Sequence, residues 1–212
     1  MSTAGGTCQY VFDPADPETW GDDHDECHDD TAAFDLADPE TWSGGRYDDC
    51  RVDDAVLNED GVWTCPHDTE GDNERCIFHL PLAEKDEAAV LNAFVATVEA
   101  RNEADTAVDD RAVQFLGARF GRLDPSDSDG LRRVPGDLRL SYADIEGAVD
   151  LSDVAFEGSV SFVGATFQPA QSDTDAATEV SFERATFESE TTFEDATFEL
   201  PTTFKGATFE AR

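Results

Sequence analysis

The residues with the clearest potential for chemistry are cysteines and histidines near the N-terminus. All 5 cysteines and all 4 histidines lie before residue 80. The segment WTCPHDTEGDNERCIFH supplies Cys65, His67, Cys76 and His79, and the segment CQYVF supplies Cys8. Structural zinc takes four thiolate or imidazole ligands in a tetrahedron, and a C-x-x-H pair lets one turn supply two of them. We therefore predict a structural zinc site formed by Cys65, Cys76 and His79, with Cys8 or His67 as the fourth ligand.

Three alternatives to this site stay open at the level of sequence. The spacing C-x-H-x8-C-x2-H matches no common zinc-finger pattern, so the cysteines could be ordinary buried thiols and the histidines loop residues. A Cys–His nucleophilic site would need an oxyanion donor and a substrate pocket, and the sequence indicates neither. A looser second group could bind a metal instead; it consists of His24, Cys27, His28 and Cys50. Zinc is favoured because metal binding can supply folding free energy to a module that is poor in aliphatic residues.

The cysteine content also indicates a compartment. An odd number of cysteines, clustered in one part of the chain, fits reduced thiols and metal ligation better than a disulfide framework. The N-terminus MSTAGGTCQYVFD has neither the basic region nor the apolar core of a signal peptide. The longest apolar run, AAVLNAFVATV, is shorter than the roughly 20 residues that span a bilayer. These features predict a cytoplasmic protein with no membrane span.

The charge of the chain is strongly negative throughout. The formal net charge is −35, from 49 acidic and 14 basic residues. Uniform acidity with only two lysines, Lys85 and Lys205, resembles the composition of proteins from extreme halophiles. In molar salt, carboxylates keep the surface hydrated while screening shortens to about 3 Å. The same charge disfavours direct binding of nucleic acid, because phosphate binding requires lysine and arginine to displace counterions.

The chain divides into three segments by composition. Residues 1–80 form an acidic Cys/His module, in which FDPADPETW at 12–20 returns as FDLADPETW at 34–42. Asp-Pro pairs and dense acid predict loops or disorder over 12–61. Residues 83–103 show apolar residues at helical spacing, which predicts an amphipathic helix within a segment 81–106. Because a solenoid needs a cover over its first coil, we expect this helix to close one end of the segment 107–212.

The C-terminal half has a regular phenylalanine repeat. Its period is about eleven residues, made of one five-residue and one six-residue step, and a small or β-branched residue lies two positions before most of the rings. The predicted core rings are Phe156, Phe162, Phe167, Phe182, Phe187, Phe193, Phe198, Phe204 and Phe209. Side chains alternate along a strand, so the small residue and the ring face inward while threonine, serine and acids face outward. Since one such strand cannot be stable alone, successive units must stack into a solenoid.

The motifs ATFED, ATFEL and GARFG resemble the repeats of the pentapeptide-repeat family, over about residues 111–212. The resemblance implies a mainly β protein: a right-handed quadrilateral β-helix with one repeat on each face. It also implies one possible role, because some members of the family resemble duplex DNA in width and charge and occupy the DNA-binding groove of type II topoisomerases.

No catalytic apparatus is legible, since the chain lacks a glycine-rich phosphate loop and a nucleophile elbow. We therefore expect a non-enzymatic scaffold or interaction protein with an unidentified protein partner. The alternative is a DNA mimic that regulates a type II topoisomerase, and a metal-dependent enzyme ranks third. A homodimer through the C-terminal coil is one expected assembly.

Overall fold

The computed structural model describes residues 6–14, 16, 19, 57–69, 73–103, 113–125, 131–170 and 179–210. Most of the segment 12–61, including the second copy of the FDxADPETW motif, lies outside the described residues.

The described residues contain short strands and one α-helix. In chain order they are β1 (Val11–Phe12), β2 (Trp63–Thr64), α1 (Glu87–Glu103), β3 (Arg119–Phe120), β4 (Arg133–Val134), β5 (Leu138–Arg139), β6 (Asp144–Glu146), β7 (Val149–Asp150), β8 (Ala155–Phe156), β9 (Val160–Ser161), β10 (Thr166–Gln168), β11 (Val180–Ser181), β12 (Thr186–Phe187), β13 (Thr191–Thr192), β14 (Thr197–Phe198), β15 (Thr202–Thr203) and β16 (Thr208–Phe209). A 3-10 turn at Leu82–Glu84 precedes α1.

Strands β3 to β16 form four parallel stacks, which are the four faces of a β-solenoid. Face 1 stacks β5, β9 and β13, and face 2 stacks β3, β6, β10 and β14. Face 3 stacks β7, β11 and β15, and face 4 stacks β4, β8, β12 and β16. The chain visits faces 1, 2, 3 and 4 in turn and then returns to face 1 one level higher. The mainly β solenoid expected from the phenylalanine repeat is confirmed, with the four sides that the resemblance to pentapeptide repeats implies.

A coil without an insertion takes 22 residues, which is two of the eleven-residue periods. Leu138 pairs with Val160 and Val180 pairs with Thr202, each pair 22 positions apart. Four coils are present, and the first is completed by isolated bridges of Gln114 to Arg139 and of Leu123 to Val149. The eleven-residue period therefore covers two faces, with one five-residue and one six-residue corner.

The five-residue corners share a backbone conformation. The residue two positions after the core side chain has a positive φ, between 55° and 73°, at Gly117, Tyr142, Asp153, Gly164, Arg184, Asp195 and Gly206. The next amide often closes the turn, as in Ala165 to the Phe162 carbonyl at 3.0 Å. This conformation suits glycine and is tolerated by aspartate, which occupy five of these seven corners. Six-residue corners alternate with them, so unequal steps are part of a regular coil.

The rings form columns inside the solenoid. Phe156, Phe187 and Phe209 stack with centroid distances of 5.0 and 4.7 Å, and Phe167 and Phe198 stack at 4.6 Å. Five of the nine predicted core rings are fully buried: Phe156, Phe162, Phe167, Phe182 and Phe187. Burial decreases toward the C-terminal coil, where Phe193 and Phe198 are half-buried and Phe204 and Phe209 are 37% and 54% exposed. Phe204 and Phe209 are the last rings of their columns, because β15 and β16 are the terminal strands of the described stacks.

The N-terminal segments cover the first coil. Asp86 caps α1 by accepting a 2.8 Å hydrogen bond from the Ala89 amide. The buried face of α1 includes Val90, Val95, Val98 and Phe94, whose ring lies 5.1 Å from Phe115. On the other side, the Tyr10 ring lies over Gly117, where a Cβ would come within 1.9 Å of the tyrosine oxygen. The helix and the Cys/His module therefore cover the first coil together.

One apolar core extends from the module through α1 into the solenoid. The three compositional segments thus share their interior. Among the described residues, no helix combines the length and the apolar character that crossing a membrane requires.

Candidate metal centre

The first part of the site is a two-stranded antiparallel ribbon. Phe12 pairs with Trp63, Val11 with Thr64 and Thr7 with Asp68, so one register runs along the whole ribbon. Opposed residues in such a pair point to the same face. The inward face therefore consists of Cys8, Tyr10, Phe12, Trp63, Cys65 and His67, whereas Thr7, Gln9 and Val11 are exposed.

The second part is the turn that carries the C-x-x-H pair. The amides of His79 and Leu80 donate to the Cys76 carbonyl at 3.0 and 3.1 Å. This turn brings the Cys76 Sγ and His79 Nδ1 to within 3.2 Å of each other. As the spacing predicts, one turn thus provides two neighbouring potential ligands.

Ribbon and turn together form a compact group of potential metal ligands. Cys8, Cys65, Cys76 and His79 are all buried, and their ligand atoms lie within 4.8 Å of one another. The Sγ atoms of Cys65 and Cys76 are 3.6 Å apart, and the Cys8 Sγ is 3.8 Å from the His79 Nδ1. A tetrahedral zinc ion holds its sulfur and nitrogen ligands roughly 3.5–3.8 Å apart. The group could therefore hold one metal ion, and it offers four ligands to that ion.

Further contacts orient these ligands. The Cys76 amide donates to the Cys8 Sγ at 3.2 Å. The His79 Nε2 lies 2.8 Å from the Leu116 carbonyl, to which it can only donate, so Nδ1 presents its lone pair to the thiols. The Tyr10 ring stacks on the His79 imidazole at 4.0 Å. A hydrogen bond from the second ring nitrogen, like that from Nε2 to the Leu116 carbonyl, is typical of metal-binding histidines.

The thiols influence one another's ionisation. Hydrogen bonds from Cys65 and Cys76 lower the pKa of Cys8, whereas hydrogen bonds with Cys76 and Cys8, together with burial, raise the pKa of Cys65. The pKa of Cys76 is lowered by its hydrogen bond with Cys65, but its bond with Cys8 and its burial outweigh this effect and raise it to about 11. Three thiolates in one dry volume repel one another, so full ionisation of the group requires a cation.

His67, the other candidate for the fourth ligand, lies beside this group. Its Nδ1 is 3.3 Å from the Cys65 Sγ, but the mutually close set contains Cys8 instead. The looser group of His24, Cys27, His28 and Cys50 lies outside the described residues.

Sequence reasoning missed several residues around the site. Trp63 donates from Nε1 to the Gln114 Oε1 at 2.8 Å, and Lys85 donates from Nζ to the carbonyls of Phe78 at 3.2 Å and Arg119 at 2.5 Å. The alternating patterns C-x-Y-x-F and W-x-C-x-H would have revealed the ribbon's inward face if the two segments had been read as a pair. The contacts to Leu116 and Gln114 carry no local signal, because they depend on the position of the first coil.

Comparisons with known proteins do not assign this chain to a family. No family model matches the chain, and neither a curated protein nor a solved structure matches it significantly. The chain is therefore characterised by its architecture: a four-sided repeat β-solenoid closed at its N-terminal end by a buried Cys3His group that could hold a metal ion.

Proposed function

We propose that this protein is a non-enzymatic scaffold of the pentapeptide-repeat type, with an N-terminal module held together by structural zinc. The carrying observation is the four-sided solenoid, whose first coil is covered by the Cys/His module and α1 and whose fourth coil exposes phenylalanine rings. Reduced cysteines and uniform acidity support a cytoplasmic location in a salt-rich cell.

Zinc is the metal that best fits the four ligands. Three thiolates and one imidazole are soft or borderline donors, which favours zinc over calcium or magnesium. A site closed by four buried protein ligands is typical of structural zinc, whereas catalytic zinc keeps one position for water or substrate. This argues against the metal-dependent enzyme.

The fourth coil, as far as the structure describes it, supports a role in protein association. Strands β13, β14, β15 and β16 end their stacks, and Phe204 and Phe209 are exposed there. No further strand of the described ranges pairs with these four, and strand edges of this kind next to exposed rings form a template for another sheet. A second copy presents the same four edges and rings, so a two-fold axis would pair like with like. We therefore propose a homodimer through the fourth coil.

The dimer is tested by solution mass. Sedimentation equilibrium is expected to show dimers whose fraction rises with salt, because two chains of charge −35 repel each other at low ionic strength. Phe209→Asp is expected to give monomers at all salt concentrations. Thr208→Asp adds the same charge on the neighbouring outward side chain and serves as the matched control. A monomeric wild-type chain in high salt, or equal dimerisation of the two variants, would contradict the proposal.

One observation favours DNA mimicry as a second candidate. Glu157, Glu188 and Glu210 each follow a stacked ring of face 4 along one corner, where Arg133 pairs with the Glu157 carboxylate. Neighbouring strands lie about 4.8 Å apart, however, whereas phosphates repeat about every 3.4 Å along each DNA strand. The outward positions Thr166 and Thr197 of face 2, like Thr186 and Thr208 of face 4, are neutral pairs. These neutral residues therefore interrupt the second acidic row that a mimic of duplex DNA would need.

We expect no inhibition of DNA supercoiling by a type II topoisomerase at micromolar protein. The measurement is a supercoiling assay at several salt concentrations, with the Glu188→Gln, Glu194→Gln, Glu199→Gln triple variant alongside. Potent inhibition that persists at high salt and disappears in the triple variant would replace the scaffold assignment by mimicry.

A further inference from the structure

The group of four ligands leaves one charge to be balanced inside the protein. Three thiolates and one neutral imidazole around a divalent ion carry a net charge of −1. The chain already carries −35, and Cys65 and Cys76 are 2% and 0% exposed, so water contributes little to this balance. In such a site, a protein can balance this charge by donating hydrogen bonds to the thiolates.

His67 occupies the position of such a donor. It shares the inward face of the ribbon with Cys65, two residues earlier, and its backbone carbonyl accepts from the Cys8 amide at 3.0 Å. Its Nδ1 lies 3.3 Å from the Cys65 Sγ. A thiolate can only accept, so contact with an ionised Cys65 requires a hydrogen on Nδ1.

The ring is held in this orientation by aromatic neighbours. Phe115, from the first coil, stacks on the His67 imidazole at 5.3 Å with an interplanar angle of 16°. Phe78 meets the ring at 4.7 Å and 62°. These contacts restrict rotation of the imidazole and keep Nδ1 beside the sulfur.

We propose that His67 is a positioning residue for the metal centre, donating from Nδ1–H to the Cys65 thiolate and thereby raising the metal affinity without ligating the metal. The inference rests on the proposed zinc site. It separates His67 from Cys8: both lie on the inward face of the ribbon and beside the other potential ligands, but only Cys8 would provide a ligand.

Two substitutions separate the hydrogen bond from the ring contacts. His67→Phe keeps an aromatic ring against Phe115 and Phe78 but has no donor. His67→Asn loses the ring but places an amide nitrogen the same number of bonds from the backbone as Nδ1. Cobalt(II) serves as the probe in the full-length chain, since its visible absorption reports tetrahedral geometry and its sulfur-to-metal charge-transfer absorption reports thiolate ligands. Chelator competition gives the dissociation constant.

We expect His67→Phe to weaken cobalt and zinc binding 10–100-fold, the range observed when hydrogen-bond partners of metal ligands are removed. Its tetrahedral spectrum should remain, with a shifted charge-transfer band, and His67→Asn should recover most of the affinity. Cys8→Ala should instead lose charge-transfer intensity, because a thiolate ligand is gone.

Unchanged affinity in His67→Phe would overturn the inference while leaving the zinc proposal intact. Weak binding in His67→Asn with normal binding in His67→Phe would also overturn it, since the ring contacts would then be what matters. Loss of the tetrahedral spectrum in His67→Phe would make His67 a ligand. A wild-type chain that takes up no cobalt or zinc would overturn the zinc proposal and this inference with it.

Discussion

Protein purified without chelator is expected to carry one zinc ion per chain, and removal of that ion is expected to unfold the Cys/His module and loosen the first coil. Structural zinc supplies on the order of 10 kcal/mol to small modules, which is comparable to the whole stability of a domain. The effect should reach the first coil because His79 donates to the Leu116 carbonyl and Trp63 donates to Gln114.

Elemental analysis and hydrogen exchange measure this effect. After chelation, exchange should accelerate at the amides of Phe115 and Gly117, which bond to the second coil. The amides of Thr197 and Thr208 in the fourth coil should keep their protection, since solenoid coils depend mainly on their neighbours. Cys76→Ser should reproduce the metal-free state, whereas Cys27→Ser should keep one zinc. A metal-free chain with a cooperatively folded module would refute the prediction.

Replacing Phe187 with alanine is expected to cost about 3–5 kcal/mol of unfolding free energy. Phe187 is 1% exposed and lies between Phe156 and Phe209 in its column, at 5.0 and 4.7 Å. Removing a ring from such a position loses its transfer free energy and leaves a cavity that the coils on both sides cannot fill.

The matched control is Phe209→Ala in the same column. That ring is 54% exposed and is covered on one side only, so its removal should cost less than half as much. Urea denaturation of both variants, at one fixed salt concentration and at a protein concentration where sedimentation shows monomers, provides the comparison. Equal costs for the two rings would show that the column does not carry the stability of the solenoid.

Much of the solenoid could be predicted because its signal is local and repeated. Each ring and its small neighbour two positions earlier mark one strand, and eleven-residue spacing sets the register. The corners were less predictable, because Tyr142 and Arg184 adopt positive φ at positions where glycine or aspartate would have marked the turn. Their neighbours in the stack override the local preference, which amounts to about 1–2 kcal/mol per residue.

The metal centre could also be predicted in part. The turn from Cys76 to His79 follows from the C-x-x-H spacing, and Cys65 is a candidate because it lies close to Cys76 in the sequence. Whether Cys8 or His67 comes close enough to join them depends on the pairing of two segments more than 50 residues apart. Spacing within one segment cannot decide between two residues that share a face.

Because five- and six-residue corners alternate, the length of the solenoid can change only by whole coils. Adding or deleting one coil, such as the 22 residues 180–201, changes the length by the separation of neighbouring strands, about 4.8 Å, and preserves every inward ring. An insertion placed at a corner leaves the length unchanged: Val180 still pairs with Val149 although the chain between β10 and β11 is longer than at other corners. Evolution or design can therefore vary the molecule's span and its surface loops independently.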